Sequence, residues 1–172
     1  LQAPAQSPTQ SSQSQDLVCR LIAAQNAGKY EEAIAIWQLV LVQEPNNSLA
    51  YNNLGNALLA IGRIDEAEVA YRSAIATNPN DATSHYNLAI LLAKQNRVEE
   101  AIAAYQRSIP FWQQLENREK VIDLLQILAA IYNTQGNTDT EIATYQQIID
   151  ISDSPETESL FLWKLAKAYA AQ

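Results

Sequence analysis

The chain has 172 residues, 48% of them hydrophobic and 17% charged, enough apolar material to bury a core and to exclude a globally disordered polymer. Its formal net charge is −8 and Lys and Arg form no cluster, which argues against a nucleic-acid partner or an anionic lipid surface. Alanine, leucine, glutamine and isoleucine dominate, the first three strong helix formers, with only four glycines and six prolines, so an all-α class is expected.

Residues 1–15, LQAPAQSPTQSSQSQ, hold little to bury and read as a flexible Gln/Ser/Pro-rich tail. Leu1 is not a translation start. A spacer of this kind follows a cleaved signal peptide or is a linker added for expression, and both readings stay open. The first implies export to a periplasm or thylakoid lumen, the second a cytoplasmic chain. No apolar run reaches transmembrane length, so direct membrane insertion is not expected. Cys19 is the single cysteine and cannot close an intrachain disulfide.

After the tail, landmarks recur with one fixed period of about 34 residues. Gly28 and Gly62 stand one period apart, with Asn96 in the next place. Ala33, Ala67 and Ala101 follow the same period, each with an aromatic at the fourth position after it: Trp37, Tyr71 and Tyr105. Pro45 and Pro79 close two units. The first unit, about 14–47, starts weakly at Arg20 and Leu21. In the second, 48–81, Leu54, Leu58 and Ile61 recur at helical spacing and Gly62 ends a first helix. Ile64, Ala67, Tyr71, Ala74 and Ile75 form the stripe of a second helix, which Asn78-Pro79-Asn80 terminates. Small residues at Gly55, Ala67, Ala89 and Ala101 allow paired helices to approach closely, and the three aromatics are expected to fill the space between neighbouring units.

The third unit, 82–121, carries His85-Tyr86-Asn87-Leu88-Ala89 and Leu92 but no proline one period after Pro79. The steps from Asn96 to Gly136 and from Tyr105 to Tyr145 each exceed the period by six, so six residues are inserted. A longer second helix kinked near Pro110 is expected there. The fourth unit, 122–155, has Leu128, Ala129, Tyr132, Gly136 and Tyr145, with Glu141 where a small alanine is due. Ser154-Pro155 then opens a last helix, 156–172, through Leu162, Leu165, Ala166 and Tyr169, expected to cover the last open face as a cap.

The second unit, Tyr51-x2-Leu54-Gly55-x2-Leu58, Gly62, Ala67-x3-Tyr71 and Pro79, resembles the tetratricopeptide repeat pattern W-x2-L-G-x2-Y…A-x3-F…P. The resemblance covers about residues 14–172, and the lengthened unit looks like those of kinesin-light-chain-type relatives. It implies a right-handed superhelix of antiparallel helix pairs, an α-solenoid of about four units plus a C-terminal capping helix. In that family the first helices line a concave groove. The implied groove positions are Gln15, Val18, Ile22, Gln25 and Asn26 in unit one, and Leu49, Asn52, Asn53, Asn56, Leu59 and Ala60 in unit two. Unit three supplies Thr83, Tyr86, Asn87, Ile90, Ala93 and Lys94. Unit four supplies Asp123, Gln126, Ile127, Ala130, Asn133 and Thr134. The candidate partner-binding set drawn from these is Asn52, Asn53, Asn56, Thr83, Tyr86, Asn87, Ile90, Lys94, Gln126 and Asn133.

Charge separates the two helix types. Residues 48–61 carry no charge and 82–95 carry only Lys94, while Glu31-Glu32, Asp65-Glu66-Glu68 and Glu99-Glu100 crowd the second helices. A nearly neutral groove beside an acidic convex face is expected. Asn53 and Asn87 are one period apart. In some family members an asparagine here bonds the main chain of an extended peptide, a task suited to a group that both donates and accepts; the same asparagine also recurs as simple repeat consensus. The carboxylate clamp that grips chaperone tails does not fit: its basic positions hold Val18, Thr83, Asn52, Asp123 or Ile127.

Chemistry finds no foothold in the sequence. His85 and Cys19 are the sole residues of their kinds and belong to different repeats, which leaves no nucleophilic pair and no metal cluster. Glu31-Glu32 and Glu99-Glu100 lie in predicted first turns, where they complement the helix dipole. Neither a phosphate-binding glycine loop nor a G-x-S-x-G motif is present. The expected function is therefore a noncatalytic scaffold or assembly factor binding a protein or peptide, without a cofactor. A docking module of a larger enzyme and a self-associating structural protein are the other readings. The Gln- and Asn-rich style, with its lengthened unit, looks similar to cyanobacterial repeat proteins, some relatives of which assist assembly of photosynthetic complexes.

Overall fold

The computed structural model describes Leu17, Arg20, Leu21, Ala24 and residues 27–170. The tail, Cys19 and the positions Gln15, Val18, Ile22, Gln25 and Asn26 lie outside the described residues. Among the described residues every regular element is a helix. Leu17, Arg20, Leu21 and Ala24 are helical, and α1 (Tyr30–Gln43), α2 (Ser48–Ala60), α3 (Ile64–Thr77), α4 (Ala82–Lys94), α5 (Val98–Gln114), α6 (Arg118–Thr134), α7 (Thr138–Ile151) and α8 (Pro155–Tyr169) follow.

The recurring glycine and asparagine landmarks are stops. Gly62, Asn96 and Gly136 end α2, α4 and α6 with φ of 78°, 60° and 68°, and Gly28 precedes α1 with φ of 66°. Glycine takes this left-handed conformation without a Cβ clash, and asparagine tolerates it. In each turn the next N–H reaches back to a carbonyl five positions earlier: Lys29 to Ala24, Arg63 to Leu58, Arg97 to Leu92 and Asn137 to Tyr132, each at 2.9 Å. That bond satisfies a carbonyl the helix end would otherwise strand. The return turns differ. Pro45 and Pro79 sit in two of them, and Asn47 and Asp81 then cap α2 and α4, accepting from the N–H of Ala50 at 2.9 Å and of Thr83 at 3.1 Å.

The inserted residues are not confined to the second helix of the third unit. α5 and α6 have 17 residues each, whereas α2 and α4 have 13 and α1, α3 and α7 have 14. The insertion therefore lengthens both helices around residues 115–117. That turn uses a left-handed Glu116 (φ 54°) and an Asn117 N–H to the Trp112 carbonyl at 3.0 Å in place of a proline. α5 runs through Pro110 without ending there.

The described residues through Pro79 form one compact unit and those from Asn80 onward another. In the first, α2 packs on α1 and α3. In the second, packing runs α4 on α5, α5 on α6, α6 on α7 and α7 on α8. Small residues set the closest contacts: Ala67, Ala89 and Ala101 are fully buried, and a Cβ on Gly55 would lie 2.6 Å from the Tyr71 ring. Tyr71 therefore packs against the first helix of its own repeat. Tyr105 likewise meets Tyr86 of its own repeat, ring centroids 6.1 Å apart. α8 does cover α7, but through Phe161, Leu165 and Ala168; of the expected capping stripe only Leu165 is buried, while Leu162, Ala166 and Tyr169 are exposed.

Candidate functional site

In the compact unit that ends at Pro79 the candidate residues lie on α2. Asn53 is half-buried at the middle of the helix. Asn56 is exposed, yet its Oδ1 already accepts the Tyr71 hydroxyl at 2.8 Å. Burial pushes that hydroxyl up to about 12, so it stays a donor at any ordinary pH. Asn52 is a correction: it is 4% exposed and already partnered, a packed amide with no surface to offer a ligand.

In the compact unit that begins at Asn80, α4 carries Thr83, Asn87, Ile90 and Lys94, spaced by four, three and four positions and so on one face. The first three are half-buried and Lys94 is exposed at the last turn. Tyr86 borders this face. Its ring is covered by the Lys120 ammonium, 3.8 Å from the ring centroid, an attraction between a cation and the negative ring face. Lys120 belongs to the lengthened start of α6, so the insertion delivers a positive charge to a face expected to be neutral. Beneath, burial pushes the Tyr105 hydroxyl up, with the nearby Tyr86 hydroxyl adding to it.

Gln126 and Asn133 lie on α6. Gln126 edges a depression of about 310 Å³ with Asp123, Ile122, Ser154 and Thr157. Asn133 borders a recess of about 440 Å³ between α6, α7 and α8. Its Nδ2 donates to both carboxylate oxygens of Glu141, at 2.9 and 3.0 Å, and the Tyr145 hydroxyl donates to Oε1 at 2.9 Å. Glu141 is only 4% exposed, and these donors are what a buried carboxylate requires. Burial first, then the bond to Glu141 and its charge, pushes the Tyr145 hydroxyl up to about 12.

Among the residues of that recess absent from the sequence reading are Trp163, Lys164 and Lys167 of α8. Trp163 is 62% exposed, with the Lys167 ammonium 5.6 Å from its ring, while Lys164 stands 4.8 Å from the Phe161 ring. The available signal was a Trp-Lys-x2-Lys run within about one helical turn, in a chain with only 11 Lys and Arg.

The second helices are less acidic in effect than in composition. Lys29, Arg63 and Arg97, again one period apart, pair with Glu32, Glu66 and Glu100 at the helix starts. Such exposed pairs offset charge without adding much stability. His85 is packed, 6% exposed and stacked on Phe111 at 5.7 Å. Among the described residues no three His, Cys, Asp or Glu side chains converge to hold a metal, and no helix is long and apolar enough to cross a membrane.

A family model described as Tetratricopeptide repeat matches residues 20–77 and 54–116, together more than half of the chain. No curated protein matches it by sequence. Among solved structures it is similar to BtubC (BKLC) from P. vanneervenii, with a TM-score of 0.68 at 17% identity over 92% of this chain and 72% of that one. It is also similar to SycD of Yersinia enterocolitica, described as a type III secretion translocator chaperone, with a TM-score of 0.67 at 20% identity over 76% of this chain and 90% of that one. A MamA protein gives a TM-score of 0.68 at 20% identity over 91% of this chain and 87% of that one. At these identities the likeness is one of fold.

Proposed function

This chain belongs to the tetratricopeptide repeat family, and we propose that it is a noncatalytic scaffold or assembly factor that holds a polypeptide on the exposed face of its first helices. The observation that carries this reading is the pair Asn53 and Asn87, equivalent in the repeat and each half-buried on a first helix. A half-buried side chain is partly held by its neighbours and partly open to solvent, and an amide can donate to a carbonyl and accept from an N–H of an extended main chain. The fold likeness to a secretion chaperone is consistent with this role. The Gln- and Asn-rich composition favours its finer form, an assembly factor of the cyanobacterial type.

The test begins with a partner captured by pull-down from the native cell. Its affinity is then measured by calorimetry against the double variant Asn53→Ala, Asn87→Ala. Each lost backbone hydrogen bond costs about 0.5–1.5 kcal/mol, with circular dichroism unchanged. Glu31→Lys and Glu99→Lys should alter only a salt-dependent association rate. A silent asparagine pair with binding abolished by the acidic reversals would move the site to the second helices.

A further inference from the structure

The first helices share one register. Tyr51, Gly55 and Leu58 of α2 correspond to His85, Ala89 and Leu92 of α4 and to Leu125, Ala129 and Tyr132 of α6. The α4 residues are 6%, 0% and 2% exposed and the α6 residues 5%, 1% and 7%. In α2, Gly55 and Leu58 are buried and Tyr51 is half-buried. In α2 this stripe meets the second helix of the same repeat through the Gly55–Tyr71 contact, and in α6 Leu125 and Ala129 share a core with Ile142 and Tyr145 of α7. The same register in α8 gives Leu162, Ala166 and Tyr169, and there Leu162 is 48% and Tyr169 57% exposed, with Ala166 exposed between them. The adjacent stripe of α8, Phe161, Leu165 and Ala168, is buried against α7, just as Leu124 and Leu128 of α6 are buried. α8 is thus set in place as a first helix, and its second-helix interface is open among the described residues.

We propose that Leu162, Ala166 and Tyr169 form a docking face for an amphipathic helix of a partner polypeptide, one carrying a small residue and an aromatic four positions later. The stripe continues an interface that the chain closes three times with such helices: Ala67-x3-Tyr71, Ala101-x3-Tyr105 and, with Glu141 at the small position, Tyr145. Ala166 leaves the room that an incoming ring fills, as Gly55 does for Tyr71. Charge agrees with an antiparallel approach. α1, α3, α5 and α7 each open on two acidic residues, and the last turn of α8 carries Lys167, without an ion pair among the described residues. A second copy of the chain is a poor occupant. Its own Ala-x3-aromatic pairs, Ala33/Trp37, Ala67/Tyr71 and Ala101/Tyr105, are all buried, so offering one would open a repeat.

The probe is a fluorescein-labelled peptide of residues 64–77, stapled because a free 14-residue helix is marginal in water. Fluorescence anisotropy with the full chain should show saturable binding. Ala166→Arg in the chain, or Tyr71→Ala in the peptide, should weaken it at least about tenfold, because the first fills the space the ring needs and the second removes the ring. Leu162→Asp gives a second reading should Ala166→Arg disturb the circular dichroism. The double variant Asn53→Ala, Asn87→Ala should bind the peptide like the wild type, which separates this face from the asparagine-bearing faces of α2 and α4. Absence of binding overturns the proposal, as does binding indifferent to both α8 variants. So does a concentration-dependent dimer that Ala166→Arg abolishes, which would give the face to a second copy.

Discussion

The helix pairs α2/α3 and α6/α7 close the same interface by different chemistry. In α2/α3 the device is size: Gly55 makes room for the Tyr71 ring, Ala67 is fully buried, and the only polar atom of the ring reaches outward to Asn56. In α6/α7 Glu141 takes the place of Ala67 and is nearly as buried, and Asn133 and Tyr145 arrive with the donors it needs. A close helix contact can therefore be kept by smallness or by complete hydrogen bonding, and this chain uses both.

The size-based pair is the less forgiving. Gly55→Leu should cost about 3 kcal/mol, since overpacking a tight contact forces off-rotamer side chains and backbone shifts. Helix propensity alone gives the opposite sign, because replacing a mid-helix glycine stabilises by about 0.5–1 kcal/mol. Urea unfolding decides between them, and a more stable variant would mean that the Tyr71 ring swings aside without penalty.

The polar pair should yield less. Glu141→Ala restores the repeat pattern yet leaves the buried Tyr145 hydroxyl without its acceptor, at about 2 kcal/mol. Adding Tyr145→Phe removes both partners and should recover much of that loss. If the single variant is as stable as the wild type, the carboxylate contributes nothing and size alone governs both pairs.

The smallest effect is invisible near neutrality. Tyr71 and Tyr145, one in each pair, are both pushed up to about 12 from an ordinary 10.0. A folded-state pKa above the unfolded value gives stability that is fully present below pH 10 and is lost as pH rises through 12. Ultraviolet titration should show late tyrosinates from Tyr71 and Tyr145, with that of Tyr105 also delayed, and one fewer in Tyr145→Phe. Early titration of both would mean that neither hydroxyl is enclosed.

Much of this comparison could be read from the residues, and for stated reasons. Gly28, Gly62, Asn96 and Gly136 announce their turns because few residues accept a left-handed backbone. The recurring alanines announce close contacts because nothing larger fits. What stayed hidden depends on meetings between distant residues. Asn52 reads as polar surface, and only the packing around α2 buries it. Lys120 reads as a solvated charge until the lengthened α6 brings it over Tyr86. The place of the insertion is concealed because Glu116 gives no turn signal, which leaves Asn117, the cap of α6, as the sole mark of the break. On α8, apolar residues fill two neighbouring stripes, and the pattern alone does not say which one faces α7.

The way the helices pair carries a kinetic consequence. Each packed pair, α1 with α2, α2 with α3, α4 with α5, and onward to α7 with α8, joins elements adjacent along the chain. Contact order is accordingly low, and little loop-closure entropy is lost before a contact forms. Helical hairpins can form as soon as both arms leave the ribosome, and among the described residues no strand must be awaited. Nucleation can then start in any repeat and spread by docking the next helix. A lesion in one hairpin slows the spread at that point and leaves the remaining hairpins able to form.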